Sequence, residues 1–326
     1  MRVVIVGAGI CGLYLAWKLS KKGYNVTVFE KKEKIGKEVC SGLFSERILD
    51  FIPESQKLIQ NQIEYCLIHF PKRTLKIKFS NPEGKPPVSY GAGKFLVIDH
   101  FELDNLIANL VKNSGTKIIL NHSMKSIPEG FDRIIGCDGA LSQVRKILKL
   151  KDPKFYLGIQ GFILDPPPKF GGGANFIETW PTNSGFIWKI PRGKPAIEYG
   201  IIEKPGEAKK LLDNFLKEKN IQLKSLNSAL IPQGLIIPKN QKITLCGDAA
   251  GLTKPWSGGG VVWSLISADI LLKIFPDFSK YQKEIKKFFL PKIIFSKIAK
   301  NLVYFFGFNI PWIFPKKIKI EGDFLI

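Results

Sequence analysis

Arg2-Val3-Val4-Ile5-Val6-Gly7-Ala8-Gly9-Ile10-Cys11-Gly12, carried on by Leu13 to Lys22 and closed by Asn25-Val26-Thr27-Val28-Phe29-Glu30, is the stretch that decides the fold. Four consecutive apolar residues read as a strand buried on both faces, as in a parallel sheet. The turn that follows fits the pattern GxGxxG. Gly7 permits a tight turn, Gly9 lets backbone approach a pyrophosphate, and Gly12 lets helix and strand pack closely. From Ile10 to Lys22 the apolar residues Leu13, Ala16, Trp17 and Leu19 fall on one side of a helix, which Gly23 ends. The N-terminus of that helix offers free N–H groups and a partial positive charge to phosphate. Glu30 ends the second strand, where a carboxylate accepts hydrogen bonds from a ribose diol. The motif by itself does not separate NAD from FAD.

Outward from this βαβ opening the patterns alternate. Ile63 to Phe79 reads as strands, Asn81 to Pro87 as a turn, Phe101 to Asn113 as a helix, and Lys117–Leu120 and Arg133–Gly136 as short strands. Between Phe155 and Ile202 the character changes to short β-type runs, punctuated by Pro166-Pro167-Pro168, Gly171-Gly172-Gly173 and Pro191-Arg192-Gly193. A helix is expected from about Gly206 to Lys219, a buried strand at Lys242–Cys246, and a helix at Val261–Ile274. The expected class is therefore mixed α/β. A discontinuous Rossmann-like domain (1–62, 89–150 and 235–275) is interrupted by an inserted antiparallel β-sheet domain (63–88 and 151–234) and followed by a helical segment (276–326).

Two later motifs turn the dinucleotide reading towards FAD. Ile134-Ile135-Gly136-Cys137-Asp138-Gly139 is a strand entering an Asp-Gly turn, with Ser142 and Arg145 after it. Leu245-Cys246-Gly247-Asp248-Ala249-Ala250-Gly251 leads through Pro255 and Trp256 to Gly258-Gly259-Gly260 and a helix. A carboxylate at Asp248, among residues with little or no side chain, suits ribityl hydroxyls. N–H groups at Gly258–Gly260 suit the pyrimidine edge of a flavin, where they stabilise charge on the reduced ring. Each motif alone is also an ordinary turn; the three in this order are not.

The set resembles the p-hydroxybenzoate-hydroxylase-type flavoproteins, and within them the geranylgeranyl reductase family. Gly7, Gly9, Gly12 and Glu30, then Asp138, Gly139, Ser142 and Arg145, then Gly247 and Asp248 carry the superfamily pattern across nearly the whole chain. Val97-Ile98-Asp99-His100 matches the segment before the second helix, with His100 where an arginine is common. Cys40-Ser41-Gly42-Leu43-Phe44-Ser45 resembles the family's cysteine–glycine loop, and Phe186-Ile187-Trp188-Lys189-Ile190-Pro191 with Tyr199-Gly200 its aromatic strand. Phe186, Ile190 and Ile202 depart from that strand's pattern. The resemblance implies FAD held by Gly7, Gly9, Gly12, Glu30, Lys31, Cys40, Ser41, Asp138, Gly139, Arg145, Gly247, Asp248, Gly251 and Gly258–Gly260. It also implies a reaction centre at Cys40 and Gly42, and an isoprenoid-lining wall including Phe186, Trp188, Pro191, Pro255 and Trp256.

The 326 residues carry 49 Lys and Arg against 28 Asp and Glu, a net charge of +21. Such a surface attracts anions. No helix-turn-helix, zinc-finger or RNA-binding signature is present, so an anionic membrane surface and an acidic electron donor such as a ferredoxin are expected as partners rather than nucleic acid. Cys11, Cys40, Cys66, Cys137 and Cys246 form no CxxC pair, and no histidine cluster has metal-ligand spacing, so no metal is expected. With no secretory apolar run at the start, a cytoplasmic, peripherally membrane-associated protein is expected. The segment after Pro276 interleaves large apolar residues with lysines and reads as an interfacial helix or as a cap over a substrate cavity. The implied activity is reduction of isoprenoid double bonds by an FAD-dependent oxidoreductase. An oxygen-using monooxygenase or halogenase, and a non-enzymatic flavin or lipid carrier, are the other readings.

Overall fold

The computed structural model describes residues 1–37, 39–80, 94–164, 174–193, 196–315 and 317–321. The turn expected at 81–87, the triple proline at 166–168, the triple glycine at 171–173 and Lys316 lie outside the described residues.

In chain order the elements are β1 (Arg2–Val6), α1 (Ile10–Lys21), β2 (Asn25–Phe29), β3 (Leu43–Ser45), α2 (Ile48–Phe51), β4 (Ile59–Ile63), β5 (Tyr65–Phe70), β6 (Arg73–Ser80), β7 (Phe95–Ile98) and α3 (His100–Asn113). They continue with β8 (Lys117–Ile119), β9 (Arg133–Gly136), α4 (Gln143–Ile147), β10 (Lys154–Leu164), β11 (Phe176–Pro181), β12 (Phe186–Pro191) and β13 (Ala196–Glu203). The remainder are α5 (Ala208–Glu218), β14 (Lys224–Gln233), β15 (Ile243–Leu245), α6 (Val261–Ile274), α7 (Phe278–Asn309) and β16 (Lys317–Glu321).

The chain divides into two compact units. The first comprises Met1–Lys37, His100–Lys154 and Ile231–Ile294; the second comprises Glu38–Asp99, Phe155–Leu230 and Phe295–Ile326. Apart from shifts of four residues at 151–154 and 231–234, the division differs from the sequence expectation in two places. Segments 38–62 and 94–99 fall in the second unit, because β3, β7 and β4 pair with one another as a separate antiparallel sheet. The segment expected to stand alone after Pro276 is shared between both units.

The first unit is built on a five-stranded sheet in the order β15-β9-β1-β2-β8, every pair parallel. Val3, Val4 and Ile5 have no exposed surface, as a strand covered on both faces demands. Helix α1 packs against α3 and α6. It buries nine of its residues, including Leu13, Leu15 and Leu19. α6 is apolar around most of its surface, with Trp263, Leu265 and Leu271 inaccessible. The part of α7 in this unit buries Phe278, Tyr281, Ile285, Phe289 and Ile293, one helical face at three- and four-residue spacing.

The second unit carries an eight-stranded sheet, β14-β10-β13-β12-β11-β5-β6-β16. It is mixed, not wholly antiparallel: β11 runs parallel to β5, and β16 parallel to β6. Both parallel pairs join strands far apart in sequence, which a hairpin pattern does not foresee. Helix α5 lays Ala208, Leu212 and Leu216 on Ile159, Ile187 and Ile201, closing one face of this sheet. On the opposite face the end of α7 meets Phe70: a Cβ on Gly307 would stand 2.1 Å from the Phe70 ring. No helix of the described residues is long and apolar enough to cross a membrane.

Candidate functional site

Because the five strands of the first unit are parallel, their C-terminal ends lie along one edge. β1 ends in Gly7, β2 in Glu30, β9 in Cys137-Asp138 and β15 in Cys246-Gly247-Asp248, so motifs up to 240 residues apart converge on neighbouring strand ends. The Gly7 N–H donates to the Phe29 carbonyl at 2.7 Å, and the Cys137 N–H to the Val6 carbonyl at 2.7 Å, stitching the three turns together. Gly7 has φ +105°, and a Cβ there would lie 2.4 Å from the Cys137 carbonyl oxygen. A Cβ on Gly12 would lie 2.0 Å from the Gly7 carbonyl oxygen. These two glycines allow the backbone to close on itself.

Gly9 is different. It has an extended backbone, and a Cβ there would meet nothing within 4 Å. It opens α1 with no side chain capping the helix and no acidic residue in the first turn. Open space in front of an uncapped, uncompensated helix N-terminus fits a pyrophosphate. Gly9→Ala is accordingly expected to fold with unchanged thermal stability as apoprotein but to bind FAD at least about tenfold more weakly (~1.4 kcal/mol). Flavin fluorescence titration checks this.

The acidic residues divide the work. Glu30 accepts from the Ala8 N–H at 2.7 Å and from the Lys32 N–H at 2.9 Å, so its carboxylate also braces the glycine turn; Lys31 beside it is exposed. Asp138 spends both oxygens on the start of α4, accepting from Ser142 Oγ at 2.5 Å and from the N–H groups of Gln143 and Val144 at 2.6 and 3.1 Å. Ser142 is the N-cap of α4, accepting from the Arg145 N–H, and Asp138, next to Gly139 at φ +80°, supports that cap. Arg145 makes its contacts within the protein. It is fully buried and donates to the Ala140 and Ala249 carbonyls at 2.6 and 2.9 Å and to Asp152 Oδ1. It ties the Asp138 loop to the Asp248 loop from behind.

Asp248 sits in a single turn between Gly247 (φ +64°) and Gly251 (φ +78°). Lys37 Nζ approaches its Oδ2 at 3.5 Å, a neighbour that no sequence pattern indicated. A Cβ on Gly260 would stand 2.8 Å from Asp248 Oδ1, so the glycine makes room for the carboxylate. Of the three glycines opening α6, two use their N–H groups internally: Gly258 donates to the Lys254 carbonyl and Gly259 to Ser257 Oγ. Gly260 heads α6 with no side-chain cap. Pro255 is buried and Trp256 half-buried in the loop before it. Cys11, Cys137 and Cys246 are buried beneath the turns, with the Cys11 and Cys137 sulfurs 4.0 Å apart. Contact with Cys137 and burial hold the Cys11 thiol well above its usual pKa. No group of His, Cys, Asp and Glu among the described residues is arranged to hold a metal ion.

In the second unit the expected substrate strand is β12. Trp188 pairs with Thr179 and Gly200, and Ile190 with Glu198. Cross-strand partners share a face, so Phe186, Trp188 and Ile190 stand with Gln160, Phe162 and Glu198 on the face opposite α5. A Cβ on Gly200 would be 2.3 Å from the Trp188 ring, which explains a glycine opposite the indole. Pro191 pairs with Ile197 and has the other parity.

Cys40 is half-buried; its sulfur accepts from the Gly42 N–H at 3.5 Å, and its carbonyl accepts from Gln160 Nε2 at 3.3 Å. Gly42 has φ +63° and leaves no room for a Cβ, which would sit 2.2 Å from the Ile98 carbonyl oxygen and 2.9 Å from an Arg192 nitrogen. Arg192 donates to the Ser41 carbonyl at 2.6 Å and to Glu198 at 2.9 Å, and Trp188 Nε1 donates to the other Glu198 oxygen at 2.8 Å. Burial pushes the Glu198 carboxyl up to about 7, against the pull of Arg192 and Trp188. Sequence reasoning missed Gln160, Arg192 and Glu198. For Gln160 and Glu198 the signal was an amide or charged side chain inside an otherwise apolar strand pattern; Arg192 lies in a turn and carried no such signal.

Residues 5–49 match the family model of an NAD(P)-binding Rossmann-like domain. The chain is 26% identical over 284 residues to a digeranylgeranylglycerophospholipid reductase of Methanococcus vannielii, covering 79% of this chain and 72% of that one. The structure of a geranylgeranyl bacteriochlorophyll reductase-like protein from Thermoplasma acidophilum superposes with a TM-score of 0.76 at 21% identity, over 92% of this chain and 86% of the other. A myxobacterial chondrochloren halogenase, an FAD-dependent enzyme, shares the fold with a TM-score of 0.69 at 13% identity, over 94% and 82%. The chain is similar in sequence and fold to the geranylgeranyl reductases, and the glycine turns at the carboxyl edge of its parallel sheet form a cradle that fits FAD.

Proposed function

We propose that this protein is an FAD-dependent oxidoreductase that reduces carbon–carbon double bonds in the isoprenoid chains of a lipid or lipid precursor. One observation carries the reading. The two segments that resemble geranylgeranyl reductases, 40–45 and 186–191, are linked in one hydrogen-bonded network through Arg192 and Glu198. A relative with the same chain-long similarity is named for digeranylgeranylglycerophospholipid.

The cofactor would be held by Gly7, Gly9, Gly12 and Glu30 at its adenosine and pyrophosphate end, and by Asp248, Gly251 and the start of α6 towards the ring. When bound and reduced, FAD would supply the hydride for one alkene carbon. The chain's own residues do the rest. An isolated alkene accepts hydride poorly, so the second carbon needs a proton, and the double bond must be held in a fixed pose. Cys40 Sγ is the group proposed to hold that proton. Half-buried Phe186, with Trp188 and Ile190 buried beside it on the same face of β12, would form the apolar wall for an isoprenoid and exclude water. Reducing equivalents would come from an acidic electron carrier drawn to the +21 surface. On α7, Phe295, Ile298, Leu302 and Phe305 recur at three- and four-residue spacing and are more than half exposed. With exposed Lys297 on the same helix they suit an anionic lipid surface.

The test is anaerobic. Photoreduced holoprotein is mixed with geranylgeranyl lipid in anionic or in neutral vesicles. The expected result is flavin reoxidation with a gain of two hydrogens per bond, faster on anionic vesicles. Reoxidation only after oxygen is admitted would overturn the reading in favour of a monooxygenase or halogenase. Equal rates on both vesicles would remove the anionic surface from it.

A further inference from the structure

Arg192 and Glu198 lie outside every phosphate- and flavin-binding motif, yet they are among the most enclosed charges of the second unit, 7% and 0% exposed. A buried ion pair is seldom worth more to stability than apolar residues of the same volume. Its use here is geometric. One Arg192 nitrogen donates both to the Ser41 carbonyl at 2.6 Å and to Glu198 at 2.9 Å, and the other lies 3.7 Å from Asp99 Oδ2. Glu198 is gripped on its second oxygen by the Trp188 indole. Its cross-strand neighbours are Ile190 and Phe162, and the Phe162 ring lies 6.0 Å from the Arg192 guanidinium. Arg192 and Asp99, just past the ends of β12 and β7, and Trp188 on β12 act on this carboxylate, and Gln160 stands on the same face two residues from Phe162 along β10. The Gly42 backbone approaches the guanidinium so closely that a single methyl group would collide with it.

We propose that Arg192 and Glu198 are positioning residues that fix the Cys40–Gly42 loop against the Trp188 indole and so set the direction of the Cys40 thiol. Their value to catalysis rests on the prenyl-reductase reading above; their value to the loop does not. Arg192 is the only part of the network that reaches from the strand face to a loop carbonyl and also neutralises a buried acid. Lysine, with one nitrogen on a flexible stem and no planar fork, cannot serve Ser41 and Glu198 and also stand beside Asp99. Glutamine at 198 keeps an acceptor for the indole and removes the charge that holds Arg192.

Cys40 is the one cysteine of the five that is not buried, so its alkylation by iodoacetamide in native holoprotein reports the loop directly. Arg192→Lys and Glu198→Gln are each expected to raise the alkylation rate about tenfold while FAD stays bound, and Cys40→Ser shows that the signal belongs to Cys40. In the wild type the rate should depart from a single thiol titration near pH 7, where Glu198 changes charge. In Glu198→Gln it should follow one thiol only. The same variants should lower kcat for lipid reduction about tenfold with little change in KM. Alkylation within twofold of wild type in both variants, with the pH profile unchanged, overturns the proposal. If alkylation responds as expected but the wild type reduces no lipid, the positioning role stands and the prenyl-reductase reading falls. Should Arg192→Lys not fold, Glu198→Gln decides by the same criteria.

Discussion

Gly12→Ala is expected to yield protein that is colourless as purified and less stable by about 3 kcal/mol or more. The added methyl carbon would stand 2.0 Å from the Gly7 carbonyl oxygen and 3.2 Å from Cys137 Cβ. The first contact is with backbone, which has no rotamer to yield, and Gly7 itself is held by its bond to Phe29. Overpacking a core usually costs about 1–3 kcal/mol, and a clash with fixed backbone falls at or beyond the top of that range. Either the α1 start moves away from β1, taking its N–H groups off the phosphates, or the turn opens. Both outcomes remove the flavin. Thermal melting and flavin absorbance check the two halves. The contrast with Gly9→Ala is the sharper test: the same chemical change three residues earlier fills open space and spares the fold. If the two variants behave alike, the assignment of pyrophosphate space to Gly9 is wrong.

The second large effect is expected at Arg145. Replacement by methionine keeps most of the volume but leaves the Ala140 and Ala249 carbonyls without their donor. A buried carbonyl stripped of its partner costs about 1–3 kcal/mol. Asp152, the acidic partner, is 53% exposed and can return to water, so the penalty of an abandoned buried charge does not arise in full. A loss of about 2–4 kcal/mol is expected in denaturant unfolding. Ala249 follows Asp248 directly, so flavin should also dissociate more readily. A variant with normal stability and altered flavin affinity would instead mark Arg145 as a direct cofactor ligand.

The parallel half of the fold is legible in the amino-acid order. Strand and helix periods, with glycines at positions that only glycine can hold, leave one way to read Arg2 to Glu30, and Ile134–Gly139 and Leu245–Gly251 repeat the strand-to-turn signal. Local chemistry was enough because these features depend on neighbours a few residues away. Features that depend on distant partners emerge only in the folded chain, and it is the three-dimensional arrangement that supplies them. It bound Asp138 to the start of α4, buried Arg145 as a tie, placed Lys37 beside Asp248, and made two pairs of the large sheet parallel. It also joined Cys40–Gly42 to Trp188 through Arg192 and Glu198, over 151 residues of sequence. No period or motif records such a join, because a hydrogen bond between strands is fixed by register and packing, and these are properties of the whole chain.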